Sequence, residues 1–240
     1  MPDTVPDKSP EKVRLSYYSD VLCIWAYTGQ IRLDELAARF GPQISVEHHF
    51  ISVFGHTEER IGGGWKDKGG FDGFSNHVMQ VAKGFPHVKV NPDIWKSVIP
   101  TTSAMSHLFL KAVQLLEKQG TISPLPYSDS GKTVFEELLW RTRCAFFEDA
   151  MDVSNQSTLY GLAEEMKLPI NDIEHLLNDG SAIASLVSDI DNKERFKLEG
   201  SPSYIMNEGR QKLYGNVGYR VIEANVIELL EMGEKQASWC

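Results

Sequence analysis

The periodicity of the chain changes within one short stretch, Ser19-Asp20-Val21-Leu22-Cys23-Ile24-Trp25-Ala26-Tyr27-Thr28-Gly29. Before it, residues 13–18 alternate apolar and polar side chains, which is typical of a strand with one buried face. After it, apolar residues recur at spacings of three and four, as on one face of a helix: Leu33, Leu36, Ala37 and Phe40. The stretch is therefore predicted to join a strand to a helix, with Cys23 in the first helical turn.

A cysteine in the first turn of a helix has a particular chemistry. The unpaired backbone N–H groups and the helix dipole stabilise a thiolate over a thiol. Cys23 is thus a candidate nucleophile whose pKa is expected to be lowered. The alternative is that Cys23 is a small buried hydrophobic residue, as isolated cysteines often are.

The spacing of Asp20, Cys23, Trp25, Tyr27 and Gly29 resembles the active-site segment of the DsbA-like branch of the thioredoxin superfamily, especially its cytosolic FrnE-type oxidoreductases or isomerases. In that family the segment reads Cys-Pro-Trp-Cys. In this chain it reads Cys-Ile-Trp-Ala, so the proline and the second cysteine are both replaced. The resemblance makes Cys23 and Trp25 the expected catalytic residues.

A second stretch, Glu199-Gly200-Ser201-Pro202-Ser203-Tyr204-Ile205, is similar to the segment that carries the family's cis-proline. Pro202 is therefore expected to be cis and to face Cys23, since cis bonds are essentially confined to proline. A trans proline that opens an edge strand is the alternative. The resemblance also implies four substrate-binding residues: Ser201, Ser203, Asn216 and Val217. Near Asn216 and Val217 the related kappa-class transferases carry an acidic residue that this chain lacks.

The resemblance spans roughly residues 13–231 and implies an α/β fold. We expect a thioredoxin-like core at 13–69 and 197–232, with a β-α-β unit, a β-hairpin and a terminal helix. An all-helical subdomain is expected at 70–196, a flexible arm at 1–12 and a tail at 233–240. The helical segments within and after that insertion are predicted at 71–81, 102–118, 132–151, 159–166, 170–177, 182–196 and 219–232.

Other parts of the chain are less informative. The glycine-rich segment Gly62 to Gly70 lacks the Gly-Lys-Ser/Thr ending of a phosphate loop, so it is predicted to be a flexible loop, in which Trp65 could contact substrate. The histidines show no metal-ligand spacing, and the neighbours His48 and His49 are expected on opposite faces of a strand. No metal site is therefore predicted.

The composition argues against several classes of protein, namely those that bind nucleic acid, bind membranes or span them. A formal charge of -9 without basic clusters argues against binding to nucleic acid or to an anionic membrane. No apolar run is long enough for a transmembrane helix, and residues 1–12 do not resemble a signal peptide. Three cysteines without a pairing pattern fit a reducing cytosol, so a cytoplasmic monomer or homodimer is expected.

With one cysteine in the motif, a mixed disulfide formed at Cys23 must be resolved by another thiol, such as glutathione as a cosubstrate. Cys240 could be that thiol, since a terminal tail can reach other surfaces, or it could be incidental. Cys144 is expected to be buried on a helix. Asp20 could assist proton transfer or cap the helix, and His107 could act on the Cys23 proton or be structural.

Three functions follow, and no bound cofactor is expected in any of them. The first is a cytosolic monothiol thiol-disulfide oxidoreductase or isomerase whose partners are glutathione and protein or small-molecule thiols and disulfides. The second is a glutathione-dependent, kappa-like transferase or isomerase of a small organic substrate. The third is a redox-silent thioredoxin-like module that binds peptides or partner proteins.

Overall fold

A computed structural model describes residues 12–127 and 131–232. Its sheet has the strand order β2-β1-β3-β4, where β1 is Val13–Ser19, β2 is Ile44–Phe50, β3 is Ser203–Met206 and β4 is Gln211–Tyr214. β1 and β2 are parallel, with Val13 opposite Ile44, whereas β3 pairs antiparallel with both β1 and β4. The predicted parallel β-α-β unit and the β-hairpin are both confirmed.

The helices lie close to their predicted positions. In chain order they are α1 Ile24–Thr28, α2 Gln30–Phe40, α3 Gly70–Ala82, α4 Ala104–Lys118, α5 Val134–Phe147, α6 Gln156–Glu165, α7 Ile170–Asn178, α8 Ser181–Phe196 and α9 Tyr219–Met232. The predicted segments at 102–118 and 132–151 are shortened, because Ser103 and Thr133 precede the helices and α5 ends at Phe147. Thr133 and Glu136 form a capping box that fixes the start of α5.

Alternating residues of β1 pack on opposite faces of the sheet, as the sequence periodicity predicts. Val13, Leu15 and Tyr17 pack with buried residues of α2 and α9, whereas Tyr18 packs with Ile205 on the other face. A larger hydrophobic cluster joins α1 to α3, α4, α5, α6, α7 and α8. The helix α1, which begins immediately after Cys23, therefore packs against the helices inserted between β2 and β3.

A buried ionic cluster ties the inserted helices to the sheet. Asp189 of α8 accepts a hydrogen bond from the Phe50 backbone N–H at 2.8 Å and pairs with Lys111 of α4 at 2.6 Å. Its other oxygen lies 2.7 Å from His49 Nδ1 of β2. Burial alone raises the pKa of Asp189, but the bond to His49 and the Lys111 charge outweigh it and hold that pKa below its ordinary value.

The segment Gly62 to Gly70 differs from its predicted form. It contains the end of a π-helical turn at Glu58–Gly63 and a 3₁₀ turn at Lys66–Lys68, rather than an open loop. Glycine is required nearby for close packing, since a Cβ at Gly73 would lie 1.8 Å from the Lys68 carbonyl oxygen. The absence of a side chain at Gly73 thus permits the close approach between the 3₁₀ turn and α3.

Among the described residues, no helix has both the length and the apolar content required to cross a bilayer.

Candidate active site

Cys23 lies at the junction between β1 and α1. It has extended backbone angles and precedes the first residue of α1, and its N–H donates to the Asp20 carbonyl at 3.1 Å. The helix therefore begins immediately after the cysteine. The side chain is almost covered, with 5% of the residue's surface exposed.

The cis-proline segment faces this cysteine. The Ser201–Pro202 peptide bond is cis, and the Cys23 thiol donates to the Ser201 carbonyl at 3.3 Å. The Ser201 hydroxyl oxygen also accepts from the Asp20 N–H at 2.9 Å. Two segments separated by most of the chain are thus joined at the sulfur by one residue, Ser201.

The lowered pKa expected for Cys23 is wrong in this structure. Burial raises the pKa of the Cys23 thiol above its ordinary value, because a charged sulfur is poorly solvated there. The Ser201 hydroxyl and the backbone N–H groups of Ala26 and Trp25 oppose this effect, whereas the charge of Asp20 adds to it. The helix terminus does favour the thiolate, but it does not compensate for the burial of the sulfur.

Asp20 is a buried carboxylate that holds the junction together. Oδ1 accepts from the Leu22 N–H at 2.9 Å, and Oδ2 accepts from the Phe54 N–H at 2.9 Å and the Ser103 hydroxyl at 2.8 Å. It therefore connects the Cys23 junction to the segment after β2 and to the start of α4. These hydrogen bonds indicate that Asp20 positions the backbone around the junction. Proton transfer by Asp20 stays a prediction.

His107 contacts the junction at Val21, two residues before Cys23. Its Nε2 accepts from the Val21 N–H at 3.2 Å, so the proton is on Nδ1, which lies 3.2 Å from the Ser52 hydroxyl. Burial lowers the pKa of His107, which keeps the ring neutral. Among the described hydrogen bonds, none joins His107 to Cys23.

Trp25, two residues after the cysteine, is partly exposed and meets Phe85 edge to face at 6.2 Å. Part of its aromatic surface is therefore open to a ligand. Trp65, the other tryptophan expected to contact substrate, packs edge to face on Phe74 at 5.0 Å and is also partly buried.

The other predicted substrate-binding residues have different surroundings. The Ser203 hydroxyl is buried and donates to the Gly200 carbonyl at 2.7 Å. Asn216 is exposed and accepts from Arg32 of α2 at 2.6 Å. Val217 packs against the cluster formed with α2 and α9. Of these, the Asn216 side chain is the one with an exposed polar group.

Within the part of the chain that the structure describes, Cys23 and Cys144 form no disulfide. Cys144 is free and partly buried, and burial together with Glu148 raises its pKa. Cys240, the candidate resolving thiol, lies outside the described residues, as do residues 1–11 of the predicted arm at 1–12 and the whole predicted tail at 233–240. Within residues 12–127 and 131–232, no group of histidine, cysteine, aspartate or glutamate side chains has the geometry of a metal site.

A groove lies beside the cis-proline segment, and its polar residues were not found from the sequence. Its volume is about 350 Å³, and its lining residues are Ile51, Ser52, Val53, Arg60, Ile190, Lys193, Glu199 and Gly200. They come from the segment after β2, from α8 and from the residues before Ser201. The proximity of the basic residues Arg60 and Lys193 could not be inferred from sequence, because these two residues are far apart along the chain.

No protein-family model matches the sequence, and a search of curated proteins found no significant match. Solved structures do match. A candidate protein disulfide isomerase of Nitrosomonas europaea has a TM-score of 0.71 at 13% identity, covering 93% of this chain and 100% of that one. The cytosolic disulfide reductase DsbM of Pseudomonas aeruginosa, solved with GSH, has a TM-score of 0.62 at 17% identity, covering 89% and 98%.

A 2-hydroxychromene-2-carboxylate isomerase also matches, with a TM-score of 0.59 at 13% identity, covering 90% of this chain and 95% of that chain. At these identities the similarity establishes the fold. The strand order, the helices between β2 and β3, and these structural neighbours together confirm the prediction: the chain has the DsbA-like thioredoxin fold.

Proposed function

We propose that the protein catalyses thiol–disulfide exchange through Cys23, by a monothiol route in which glutathione is the second thiol. The observation that supports this most directly is the 3.3 Å contact between the Cys23 sulfur and the Ser201 carbonyl, immediately before cis-Pro202. Ser201 lies just before the first residue of β3. An extended substrate backbone could hydrogen-bond to the main chain there, as an added strand does.

The reaction has two exchanges. The Cys23 thiol first loses its proton to solvent, and the thiolate attacks one sulfur of a substrate disulfide, forming a mixed disulfide and releasing the other sulfur as a thiolate. A glutathione thiolate then attacks the mixed disulfide at the substrate sulfur, which breaks the S–S bond to Cys23, forms a substrate–glutathione disulfide and releases the Cys23 thiolate. Ala26 stands where the family has its second cysteine, so the second exchange needs a thiol from outside the motif.

The groove beside Gly200 supports glutathione as that thiol. The Arg60 guanidinium lines the groove and forms no ion pair with any residue that the structure describes. A free guanidinium is well suited to bind a carboxylate, of which glutathione has two. The DsbM structure that shares this fold was solved with GSH, which is consistent with such a ligand.

The test is mass spectrometry of the full chain after incubation with glutathione disulfide at several pH values. A glutathione adduct on the Cys23 peptide, removed by added glutathione, is expected. Cys144→Ser is the matched control, and it should keep the adduct, whereas Cys23→Ser should lose it. An unmodified Cys23 at every pH, with no exchange on a model protein disulfide, would contradict the proposal.

A second candidate is a glutathione-dependent isomerase or transferase of a small organic substrate. It is favoured by Ala26, which removes the dithiol chemistry, and by the similarity to the chromene-carboxylate isomerase structure. Isothermal titration with glutathione separates the two candidates. Saturable binding without turnover of any disulfide would favour the isomerase, whereas adduct formation and release at Cys23 favours exchange.

A further inference from the structure

The face of α5 that packs under α1 contains a charged residue among aromatic ones. Tyr27 of α1 stacks on Trp140 and Phe147 of α5, with ring centroids 5.3 Å and 4.5 Å apart. Arg143 lies between these two on the same helix face, three residues after Trp140 and four before Phe147. Arg143 therefore lies on the face of α5 that contacts α1.

Arg143 is fully buried, and the groups bonded to it are neutral. Its Nη2 donates to the Ser19 hydroxyl at 2.9 Å, and its Nη1 donates to the Gln30 side-chain oxygen at 2.8 Å. Its Nε has no hydrogen-bond partner. A buried guanidinium without a bonded carboxylate is costly, because the charge loses its hydration and gains no ion pair.

Ser19 and Gln30 flank the Cys23 helix at its two ends, Ser19 at the end of β1 and Gln30 at the start of α2. Arg143 thus bridges the two ends of the segment that holds the sulfur. Burial lowers the pKa of Arg143, and its electrostatic interactions with Tyr17, Cys23 and Asp20 oppose that effect. The further titratable groups that interact with it are Cys144, His48, His107 and Tyr204.

The charge balance of this buried region depends on Arg143. Both Asp20 oxygens are bonded to other donors, so Asp20 balances Arg143 only through space. His107 is kept neutral by burial. When the Cys23 thiol is protonated, the positive charge of Arg143 and the negative charge of Asp20 cancel. If Arg143 were replaced by a neutral residue, ionisation of Cys23 would place two negative charges, those of Asp20 and the thiolate, in one buried region.

We propose that Arg143 is a positioning residue that stabilises the Cys23 thiolate from beneath α1, as the buried cation that offsets its charge. This proposal rests on the proposed function, because it assumes that Cys23 reacts as a thiolate. It does not depend on glutathione or on any substrate. The step it concerns is the loss of the Cys23 proton to solvent, which leaves the negative charge on the sulfur.

The experiment follows the rate of iodoacetamide alkylation at the Cys23 peptide against pH, in the full chain, by mass spectrometry. The sulfur displaces iodide and forms a carbon–sulfur bond only as the thiolate. Arg143→Met should shift the midpoint of the profile upward and slow alkylation at neutral pH by up to about tenfold, since loss of an opposite charge disfavours the thiolate by up to about one pKa unit at this kind of through-space contact. Arg143→Lys should recover much of the rate.

Arg141→Met is the matched control, because Arg141 is on the same helix but is partly exposed and pairs with Glu137 at 2.8 Å. It should leave the profile unchanged. A profile for Arg143→Met that coincides with the wild-type profile, in protein whose circular dichroism shows a native fold, would overturn the proposal.

Gln30→Glu tests the same idea with Arg143 in place, in case Arg143→Met fails to fold. It puts a carboxylate opposite the Arg143 Nη1 at the start of α2, where a negative charge also suits the helix dipole. The guanidinium then has its own counter-ion, so the alkylation midpoint should rise, whereas the neutral Gln30→Met should leave it near the wild-type value. Equal midpoints in both variants would overturn the proposal.

The alkylation profile does not use disulfide exchange. A shift in Arg143→Met without glutathione adducts at Cys23 would therefore leave this proposal standing and remove the proposed function. Adduct formation with an unshifted profile would do the reverse.

Discussion

Replacement of Asp20 by asparagine separates its structural role from a role in proton transfer. Asp20 is fully buried and accepts three hydrogen bonds, two of them at Oδ2 from Phe54 and Ser103 and one at Oδ1 from Leu22. Asparagine keeps one acceptor oxygen, which can serve both donors at the Oδ2 position. Its NH₂ group then faces the Leu22 N–H, which loses its acceptor.

The magnitude follows from that count. A buried donor left without a partner costs about 1–3 kcal/mol, so Asp20→Asn should lower the free energy of unfolding by that amount. Asp20→Ala removes the acceptor for three donors and should cost about 3–9 kcal/mol on the same basis, a large share of a typical domain's ~5–15 kcal/mol. Asparagine is therefore the variant suited to solution measurements.

Asp20→Asn should destabilise the fold but make the Cys23 thiol more reactive. The Asp20 charge raises the pKa of Cys23, so its removal should lower that pKa and speed alkylation of Cys23 at neutral pH. Asp20→Asn should thus be less stable in urea but more reactive towards iodoacetamide. If Asp20 instead accepted the Cys23 proton, the variant would alkylate more slowly. Slower alkylation, or unchanged unfolding midpoints, would refute a purely structural and electrostatic role for Asp20.

Three further predictions concern the same region. Ser201→Ala should raise the pKa of Cys23, because the Ser201 hydroxyl lowers it, and the pH midpoint of alkylation reports the change; an unmoved midpoint would contradict this. Phe147→Ala should lower the free energy of unfolding by about 3–5 kcal/mol, measured in urea, since Phe147 is fully buried and stacks on Tyr27; a loss below about 1 kcal/mol would contradict it. His107 has a pKa held below its ordinary 6.5 by burial, so the unfolded state binds more protons and stability should fall as pH decreases from about 6.5 towards the folded pKa. In His107→Gln the free energy of unfolding, measured by urea titration, should decrease less as the pH is lowered. An identical pH dependence in the variant and the wild type would contradict this prediction.

The parts of the fold that were predictable are those fixed by local patterns. Residues 13–18 alternate and residues 33–40 follow a helical period, so the strand, the helix and the cysteine between them could be placed from the sequence. A short loop that contains Asn207 and Gly209 separates two apolar runs, 203–206 and 211–214, and this pattern likewise predicts the hairpin. These signals are local because each element buries one face, and burial of a face imposes a period on the chain.

The features that sequence did not supply depend on distant segments. A helix terminus favours an acidic Cys23, but burial under Ser201 decides the direction of its pKa, and a sequence does not show what covers a sulfur. Arg143 is fully buried on an apolar face of α5. From sequence alone, an arginine is expected to extend its charged group into solvent. Arg60 and Lys193 line one groove only because α8 returns to the segment after β2.

Ala26 is fully covered, one helical turn after Cys23, and the other described thiol, Cys144, is engaged by Glu148 on a different helix. Under the proposed exchange, a partner captured at Cys23 would be released in a bimolecular step rather than an intramolecular one. The lifetime of the captured complex would then be set by the concentration of free thiol around the protein. An oxidising environment, in which free thiol is scarce, would lengthen the lifetime of the complex, and a reducing environment would shorten it.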